Sequence, residues 1–277
     1  MLRKNLAESE PRKLALIGIP DDSNSSFLRG AAEAPMAIRE QLFSDAFNMW
    51  TETGIDLEEN VFFDAGDLKL TEAPDTWRTI RDAIALILEH ELLPICLGGD
   101  HSITYPIVKA FRSKYEKLSI LHFDAHPDIY DNFDNNPHSH ASPFARIMEN
   151  GLADRLVQVG IRTATGHQRE QAQQFGIEML EMRELPTDLR VEFNGPVYVS
   201  IDIDGLDPAF APGVSHPEPG GLSTRQLLNA IHKLRGTVVG ADVVEVNPRK
   251  DVHKLTATVA AKIVKEIAGR MLERRNV

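Results

Sequence analysis

The feature that most constrains the fold is the alternation of short apolar runs with longer amphipathic segments along the whole sequence. The apolar runs are rich in branched residues and end at Gly, Asp or Pro, which is typical of parallel strands buried on both faces. They predict strands at Leu14–Ile19, Leu93–Leu97, Ser119–Phe123, Leu156–Val159, Val197–Ile203 and Val238–Val244. The segments between them predict helices at Met36–Phe43, Asp75–Glu89, Ser102–Lys114, Ser142–Glu149, Arg169–Phe175, Thr224–Lys233 and Leu255–Glu273.

Strands and helices that alternate at these lengths produce a parallel sheet that helices cover on both faces. We therefore expect an α/β protein with three layers, α/β/α. The sequence has no internal repeat, low-complexity tract or flexible linker, so we expect a single domain over residues 1–277, with a loosely ordered N-terminus at residues 1–12. The segment Met49–Asp67 gives no clear element boundaries.

Composition narrows the range of partners and locations. The formal net charge of −11 argues against nucleic acid, whose phosphates bind clustered Lys and Arg, and favours cationic small molecules. Cys96 is the only cysteine, so no intrachain disulfide can form. The longest apolar run, Ala83–Leu88, is far shorter than the roughly 20 residues that span a bilayer, and the first residues lack the apolar stretch of a signal peptide. We therefore expect a soluble, cytoplasmic protein that binds neither nucleic acid nor a membrane.

Three of the predicted strands end in unusually polar residues. In open parallel sheets, active groups gather where the strands end and the chain leaves the sheet. The first ending is Gly98–Gly99–Asp100–His101–Ser102, in which two glycines allow a tight turn that places His101 at the mouth of the sheet. Taken alone, a histidine after such a turn is more often a capping or packing residue.

The second ending is His122–Phe123–Asp124–Ala125–His126–Pro127–Asp128. Successive side chains of an extended segment point to opposite sides, so Asp124, His126 and Asp128 project the same way. Their convergence is costly unless a cation lies between them, although a polar surface loop is the alternative. We interpret His122, one step deeper, as a buried supporting histidine rather than a ligand.

The third ending, Ser200–Ile201–Asp202–Ile203–Asp204–Gly205–Leu206–Asp207–Pro208, again has two acids at a spacing of two. Carboxylates side by side at the end of a buried strand repel one another unless a metal or a shared proton intervenes, which makes Asp202 and Asp204 candidate ligands. Asp207 is explained as a turn residue beside Pro208.

Together the three endings supply an oxygen-rich ligand set with some imidazole: His101, Asp124, His126, Asp128, Asp202 and Asp204. A tetrahedral structural zinc site would favour Cys and His instead. Six ligands with several carboxylates suit two divalent ions of the Mn²⁺ type, about 3.5–4 Å apart, which lower the pKa of water towards neutrality. The residues therefore predict metal-assisted hydrolysis and leave the substrate open.

The three motifs, in this order, resemble the signature segments of the ureohydrolases, the family of arginases and agmatinases. The resemblance runs from about Gly18 to the last predicted helix and is closest to plant-type arginases, which are similar to agmatinases. It is carried by the stretches Asn24–Leu28, Asp124–Asp131, Ser139–Ile147, Pro208–Leu222 and Ala241–Pro248.

The resemblance implies that the six candidate ligands hold a dinuclear manganese centre, which cleaves a guanidino group to urea and an amine. Asp128 then belongs to the catalytic residues as well as to the ligands. The resemblance also implies a mainly parallel sheet of eight strands and assembly into homotrimers or homohexamers.

Two further residues gain a role from the resemblance. His140 matches the histidine that serves the family as proton shuttle, and an imidazole with a pKa of about 6.5 can protonate a departing amine at neutral pH. Glu245 matches the glutamate that binds the substrate guanidinium, whose planar fork pairs with a carboxylate through two hydrogen bonds. Without the resemblance, His140 is equally a solvated loop residue and Glu245 a structural acid at a strand end.

The residue at position 130 bears on the substrate. Many animal and bacterial arginases have Asn there, whereas this chain has Tyr130, as agmatinases and plant-type arginases do, which makes Tyr130 a candidate substrate-binding residue beside His140 and Glu245. Asp131 and Asp134 follow, and no Lys or Arg occurs before Arg146. An acidic loop favours a substrate tail with only an ammonium group. We therefore expect agmatine, hydrolysed to putrescine, with L-arginine, hydrolysed to ornithine, or another guanidino acid as the alternative.

Two other classes of function stay open at this point. One is a metallo-phosphoesterase or deacylase with the same ion pair. Anionic substrates need cations near the metals, however, and the motif loops offer few apart from Arg162 and Arg249 at neighbouring strand ends. The other is a non-catalytic relative that binds a metabolite. The complete set of candidate site residues argues against that alternative.

Overall fold

The computed structural model of the chain describes residues 14–58, 61–70 and 75–273. Its strands are β1 (Leu14–Ile19), β2 (Phe62–Asp67), β3 (Leu93–Gly98), β4 (Ser119–Phe123), β5 (Arg155–Ile161), β6 (Glu178–Glu181), β7 (Glu192–Asp202) and β8 (Arg235–Val244). Its α-helices are α1 (Ala34–Leu42), α2 (Asp75–Glu89), α3 (Thr104–Lys114), α4 (Pro143–Glu149), α5 (Gly166–Phe175), α6 (Thr224–Lys233) and α7 (Leu255–Leu272). Within the described ranges, no helix combines the length and the apolar character that crossing a membrane requires. The predicted loose order of residues 1–12 lies outside the described residues, and the single domain over 1–277 stays a prediction.

The eight strands form one sheet in the order β2-β1-β3-β8-β7-β4-β5-β6, and every pairing between neighbours is parallel. Strands far apart in the sequence, such as β3 and β8, therefore lie side by side at the centre. The predicted α/β fold with an eight-stranded parallel sheet is confirmed.

Alternate residues of each central strand face opposite layers of helices, as the period of two requires. Leu14 and Leu16 of β1 belong to a buried cluster with the apolar side chains of α1, α6 and α7. Ala15 and Ile17 belong to a second cluster with those of α2, α3, α4 and α5. The sheet is therefore covered on both faces, and this gives the three predicted layers.

The sequence missed β2 and β6, which lie at the two edges of the sheet. Both are only partly buried, so β2 (FFDAGD) and β6 (EMLE) lack the run of branched apolar residues that marks the central strands. The predicted helix start at Arg169 was also wrong. Helix α5 begins at Gly166, because Thr165 and Gln168 form a capping box that fixes its first turn.

Gly240 in β8 marks a close approach between the sheet and α3. A Cβ atom at this position would lie 2.2 Å from Cζ of Phe111, whose ring is fully buried. We expect Gly240→Ala to lower the free energy of unfolding by about 1–3 kcal/mol, because the ring cannot move without displacing its neighbours. Urea denaturation followed by circular dichroism measures this change.

Gly166→Ala is the matched control, since a Cβ there would meet no atom within 4 Å. Its free energy of unfolding should stay within about 0.5 kcal/mol of the native value. Equal losses in both variants would contradict the proposed steric origin.

The carboxyl ends of five neighbouring strands, β3, β8, β7, β4 and β5, meet along one edge of the sheet. The chain leaves each of them through a short turn that carries polar side chains. This edge contains the candidate site.

Candidate metal centre

The turn after β3 positions His101. A Cβ atom at Gly99 would lie 1.8 Å from the carbonyl oxygen of Asp21, so only glycine allows the chain to pass. The carboxylate of Asp100 then accepts a hydrogen bond from the backbone N–H of Ser102 and caps a short 3-10 helix, His101–Ile103. The side chain of His101 is completely buried in this turn.

The segment after β4 carries three of the predicted ligands. Asp124 is completely buried, and its carboxylate accepts a hydrogen bond of 2.6 Å from the backbone N–H of His126. Asp128 has a φ of 49°, in the left-handed region that non-glycine residues rarely occupy. Such conformations cluster at functional sites, where the surrounding structure maintains them.

The end of β7 supplies Asp202 and Asp204. Asp202 accepts a hydrogen bond of 2.8 Å from the backbone N–H of Asp204, and this contact caps the 3-10 turn Ile203–Gly205. Both carboxylates are almost fully buried. A short turn thus directs two acids from one strand end into the same space.

All six predicted ligands lie in one cluster. Nδ1 of His101 lies 3.3 Å from a carboxylate oxygen of Asp124, 3.0 Å from one of Asp128 and 3.3 Å from one of Asp202. Nδ1 of His126 lies 3.3 Å from Asp124 and 3.2 Å from Asp204. Asp124 belongs to all three groups of converging ligand atoms in the described residues. The two groups without His122 share only Asp124, which is the arrangement that two neighbouring cations need.

The proton on His101 can be placed from its hydrogen bonds. The hydroxyl of Ser200 donates to Asp242 at 2.7 Å, so it must accept from Nε2 of His101, which lies 3.0 Å away. In the neutral ring, Nε2 then carries the proton and Nδ1 presents its lone pair to the three carboxylates. Although burial opposes it, these carboxylates raise the pKa of His101, so they favour a positive charge at Nδ1, from a proton or from a bound cation. Nδ1 is buried and has no hydrogen-bond partner among the residues that the structure describes. A lone pair surrounded by carboxylates fits a bound cation.

The charges of the cluster lead to the same conclusion. Burial and the nearby Asp204 and Asp124 raise the pKa of Asp202 well above its ordinary value. Burial raises the pKa of Asp204 to about 6, and Asp124 adds to this. The folded chain thus holds acids together against their repulsion, and oxygen-rich sets of this kind bind hard divalent ions.

His122 supports the cluster from behind, as the sequence predicted. It is completely buried, and its Nε2 lies 2.8 Å from Oδ2 of Asp124. Its Nδ1 contacts the side chain of Gln158 at 3.1 Å. Although its ring atoms are close enough to count with His101 and Asp124 as a possible ligand group, its contacts orient Asp124.

His140 and Glu245 lie together beside the cluster. Nδ1 of His140 lies 2.8 Å from Oε1 of Glu245, and the same oxygen accepts a hydrogen bond of 2.9 Å from the backbone N–H of His101. Although burial opposes it, Glu245 raises the pKa of His140 to about 9. Glu245 has a φ of 63°, a second left-handed backbone at this edge.

A pocket opens above the cluster, and Asp128, His140 and Glu245 line it together with Tyr130. Its lining also includes Thr163, Thr165 and Gln168, at and before the start of α5. These three side chains are neutral. The acids among the lining residues are Asp128, Asp202, Asp204 and Glu245.

Sequence reasoning missed Ser26 and His216, which also line the pocket. The hydroxyl of Ser26 lies 2.7 Å from Nε2 of His140, and the ring of His216 lies 5.1 Å from that of His140. Ser26 comes from the loop after β1 and His216 from the long loop after β7, and neither lies within a predicted ligand motif. Their only signal was that they fall in the stretches Asn24–Leu28 and Pro208–Leu222, which carry the resemblance.

Comparison with known proteins connects this geometry to a family. The sequence profile described as "Arginase family" matches residues 12–269. The chain belongs to the arginase family. It is accordingly an arginase-family hydrolase, a class of enzymes that acts on small guanidino compounds.

Individual relatives within the arginase family support this assignment. "Arginase 1, mitochondrial" of Arabidopsis thaliana is 50% identical over 93% of this chain and 80% of its own length. "Agmatinase" of Bacillus cereus is 33% identical over 93% of this chain and 91% of its own length. The solved structure of arginase from Medicago truncatula superposes with a TM-score of 0.91 at 43% identity, covering 98% of this chain and 93% of that one.

The same comparison corrects the prediction of a cytoplasmic protein. The relatives from Arabidopsis thaliana and Medicago truncatula are named mitochondrial, or chloroplastic and mitochondrial. Their names point to organelles, so the cytoplasmic assignment is wrong. It had been inferred from the composition of the first residues, which carries too little information to assign a compartment.

Proposed function

We propose that this arginase-family member is an arginase that hydrolyses L-arginine to L-ornithine and urea with two Mn²⁺ ions. Similarity favours this substrate over the expected agmatine: the relatives named arginase reach 46–50% identity, against 33% for the one named agmatinase. The observation that carries the chemistry is the convergence of six acid and imidazole side chains, four of which line one pocket: His126, Asp128, Asp202 and Asp204.

The proposed ion positions follow from the two ligand groups. One ion would be held by His101, Asp124, Asp128 and Asp202, and the other by Asp124, His126 and Asp204. Such an ion pair lowers the pKa of water towards neutrality and so supplies a nucleophile. Manganese is proposed because carboxylates dominate both groups, with a single imidazole in each.

Glu245 is proposed to bind the guanidinium group. Both of its hydrogen bonds from His101 and His140 fall on Oε1, so Oε2 is available to a ligand in the pocket. A carboxylate holds a guanidinium through its planar fork, which fixes the orientation of the central carbon over the ligand cluster. Positioning of this kind accounts for a large part of the rate.

His140 is proposed to protonate the departing amine. Without ions at the cluster, Glu245 raises the pKa of His140 to about 9 although burial opposes it, which favours the protonated ring that proton donation needs. Glu245 on one side and the Ser26 hydroxyl on the other hold the ring in a fixed orientation. The remaining substrate-binding prediction, Tyr130, lies in the pocket wall and is proposed to contact the substrate tail.

The expectation of agmatine rested on the acidic loop residues Asp131 and Asp134. Oδ1 of Asp131 lies 3.1 Å from Nε2 of His167. Neither Asp131 nor Asp134 is among the described residues that line the pocket. The lining instead includes the neutral side chains of Thr163, Thr165 and Gln168. These groups can bind a carboxylate and an ammonium group alike.

Steady-state rates of urea release test the proposed substrate. With manganese-loaded protein, we expect kcat/KM for L-arginine to exceed that for agmatine and for 4-guanidinobutyrate by about tenfold or more, which corresponds to about 1.4 kcal/mol. A preference for agmatine would overturn the arginase assignment and leave the family intact.

A phosphoesterase or deacylase function is not supported by the site. The guanidinium of Arg162 donates to backbone carbonyls, and that of Arg249 pairs with Glu33 at the surface. Among the described pocket-lining residues there is no Lys or Arg for an anionic substrate. Assembly into homotrimers or homohexamers stays a prediction from the resemblance.

A further inference from the structure

Arg162 follows β5 directly, and its guanidinium donates hydrogen bonds to backbone carbonyls. Nη2 donates to the carbonyl oxygens of Asp204 at 2.7 Å, Glu218 at 2.6 Å and Leu206 at 3.2 Å. Nη1 donates to Gly205 at 3.2 Å and Gly160 at 3.3 Å, and Nε donates to Glu218 at 3.0 Å. All three nitrogens of the guanidinium thus donate to neutral oxygens of the main chain.

These carbonyls belong to segments that carry site residues. Three of them come from the turn that follows β7 and bears the ligands Asp202 and Asp204. Glu218 lies two residues after His216, which lines the pocket. The side chain of Arg162 therefore joins the ligand turn of β7 to the pocket segment around His216.

The backbone of the same residue reaches the ligand segment that follows β4. The N–H of Arg162 donates to the carbonyl oxygen of Ala125 at 2.9 Å, between the ligands Asp124 and His126. One residue thus contacts both ligand segments that follow β4 and β7. Asp124 and Asp204 share a ligand group, so the distance between these two segments sets the width of that group.

Only a guanidinium can make this set of contacts. Its five N–H groups lie in one plane and can reach carbonyls on several sides, whereas a lysine ammonium offers three donors from a single point. The group is also closely packed, since a Cβ atom on Gly221 would lie 2.7 Å from Nη2 of Arg162. The positive charge lies behind the acidic turn rather than in the pocket, so it is not a substrate-binding group.

We propose that Arg162 is a positioning residue of the metal centre. Its contacts fix the spacing between the ligand segments after β4 and β7, and thereby the affinity for the ion held by Asp124, His126 and Asp204. This inference rests on the metal centre of the proposed function. It assigns Arg162 no contact with the substrate, the ions or the reacting atoms.

The test compares Arg162→Met, which keeps the length of the side chain without its donors, with the native protein. Manganese titration calorimetry of the metal-free proteins should show the weaker of the two dissociation constants rising by about tenfold or more. Electron paramagnetic resonance of the manganese-loaded variant should show altered coupling between the ions, because coupling depends on their separation. With L-arginine, kcat should fall by about 10–100-fold while KM stays within about threefold.

Two further variants complete the design. Arg249→Met removes a guanidinium that pairs with Glu33 at the surface, and it should match the native protein in all three measurements. Arg162→Lys retains the charge and some donors, so its weaker manganese dissociation constant and its kcat should lie between those of the native protein and of Arg162→Met. It also provides the same metal measurements if the Met variant does not fold.

The outcomes separate this inference from the function on which it rests. Two ions bound with native affinity and native coupling in Arg162→Met or Arg162→Lys would overturn the positioning role, even if the melting temperature fell. A native protein that binds no manganese would overturn the metal centre itself. A native protein that binds two ions but does not hydrolyse L-arginine would overturn only the substrate, because titration and resonance use protein and Mn²⁺ alone.

Discussion

Replacing Glu245 by Gln is expected to lower kcat/KM for L-arginine by about 30–1000-fold, corresponding to about 2–4 kcal/mol of transition-state stabilisation. The substitution removes the negative charge that faces the guanidinium and also the charge that raises the pKa of His140. Gln retains an oxygen that can accept the hydrogen bond from the backbone N–H of His101, so the turn after β3 should be preserved. Initial rates of urea release give the measurement.

Glu178→Gln is a suitable control, because Glu178 pairs with Arg155 near the sheet edge at about half exposure. It should retain native activity. Manganese titration of both variants should still give two ions per chain, since Glu245 is not among the proposed ligands. Full activity in Glu245→Gln would show that the guanidinium binds elsewhere.

Replacing Asp202 by Asn should have opposite effects on metal binding and on the stability of the metal-free protein. Manganese affinity is expected to fall by at least about 10³-fold, because a neutral amide replaces the carboxylate of a proposed ligand. The free energy of unfolding of the metal-free variant should exceed that of the metal-free native protein by about 1–2 kcal/mol. Urea denaturation measures this difference. The reason is that burial and the neighbouring acids oppose ionisation of Asp202 in the folded state.

The sign of this effect can be checked by pH. Folding raises the pKa of Asp202, so this residue lowers the stability of the folded chain at high pH. The loss is complete above the raised pKa and disappears below the ordinary value of about 3.9. The stability difference between metal-free variant and metal-free native protein should therefore shrink as the pH falls. Excess Mn²⁺ should stabilise the native protein much more than the variant. A difference that grows on acidification would contradict the assignment.

The central strands of the sheet could be predicted because their position in the fold imposes a pattern on their own residues. Runs such as Leu14–Ile19 and Ser119–Phe123 are buried on both faces, and burial on both faces requires continuous apolar sequence. The edge strands escaped prediction because one side of each is exposed to solvent, which removes that requirement. The order of the strands was not deducible from the residues, since no local pattern shows that β8 lies between β3 and β7.

The acid and imidazole side chains at the strand ends singled out Asp124, His126 and Asp128, but the alternation assumed for them was wrong. The chain bends after β4, and Asp128 has a left-handed backbone. The neighbours of the ligand cluster were not predictable. Ser26 reaches His140 from a loop 114 positions away, and the guanidinium of Arg162 turned out to bind carbonyls rather than face the pocket. Contacts of this kind depend on how loops fold over the sheet, and the sequence has no periodic signal for them.

The position of β8 between β3 and β7 has a consequence for the order in which the protein becomes functional. His101 and Glu245 are in contact although they are 144 positions apart, and β8 is the last strand of the sheet. A chain emerging from the ribosome can therefore bring β3 beside β7 only by a pairing that must later open to admit β8. Tight manganese capture should thus begin only after β8 (Arg235–Val244) has been synthesised and paired, which makes metal uptake a measure of completed sheet formation.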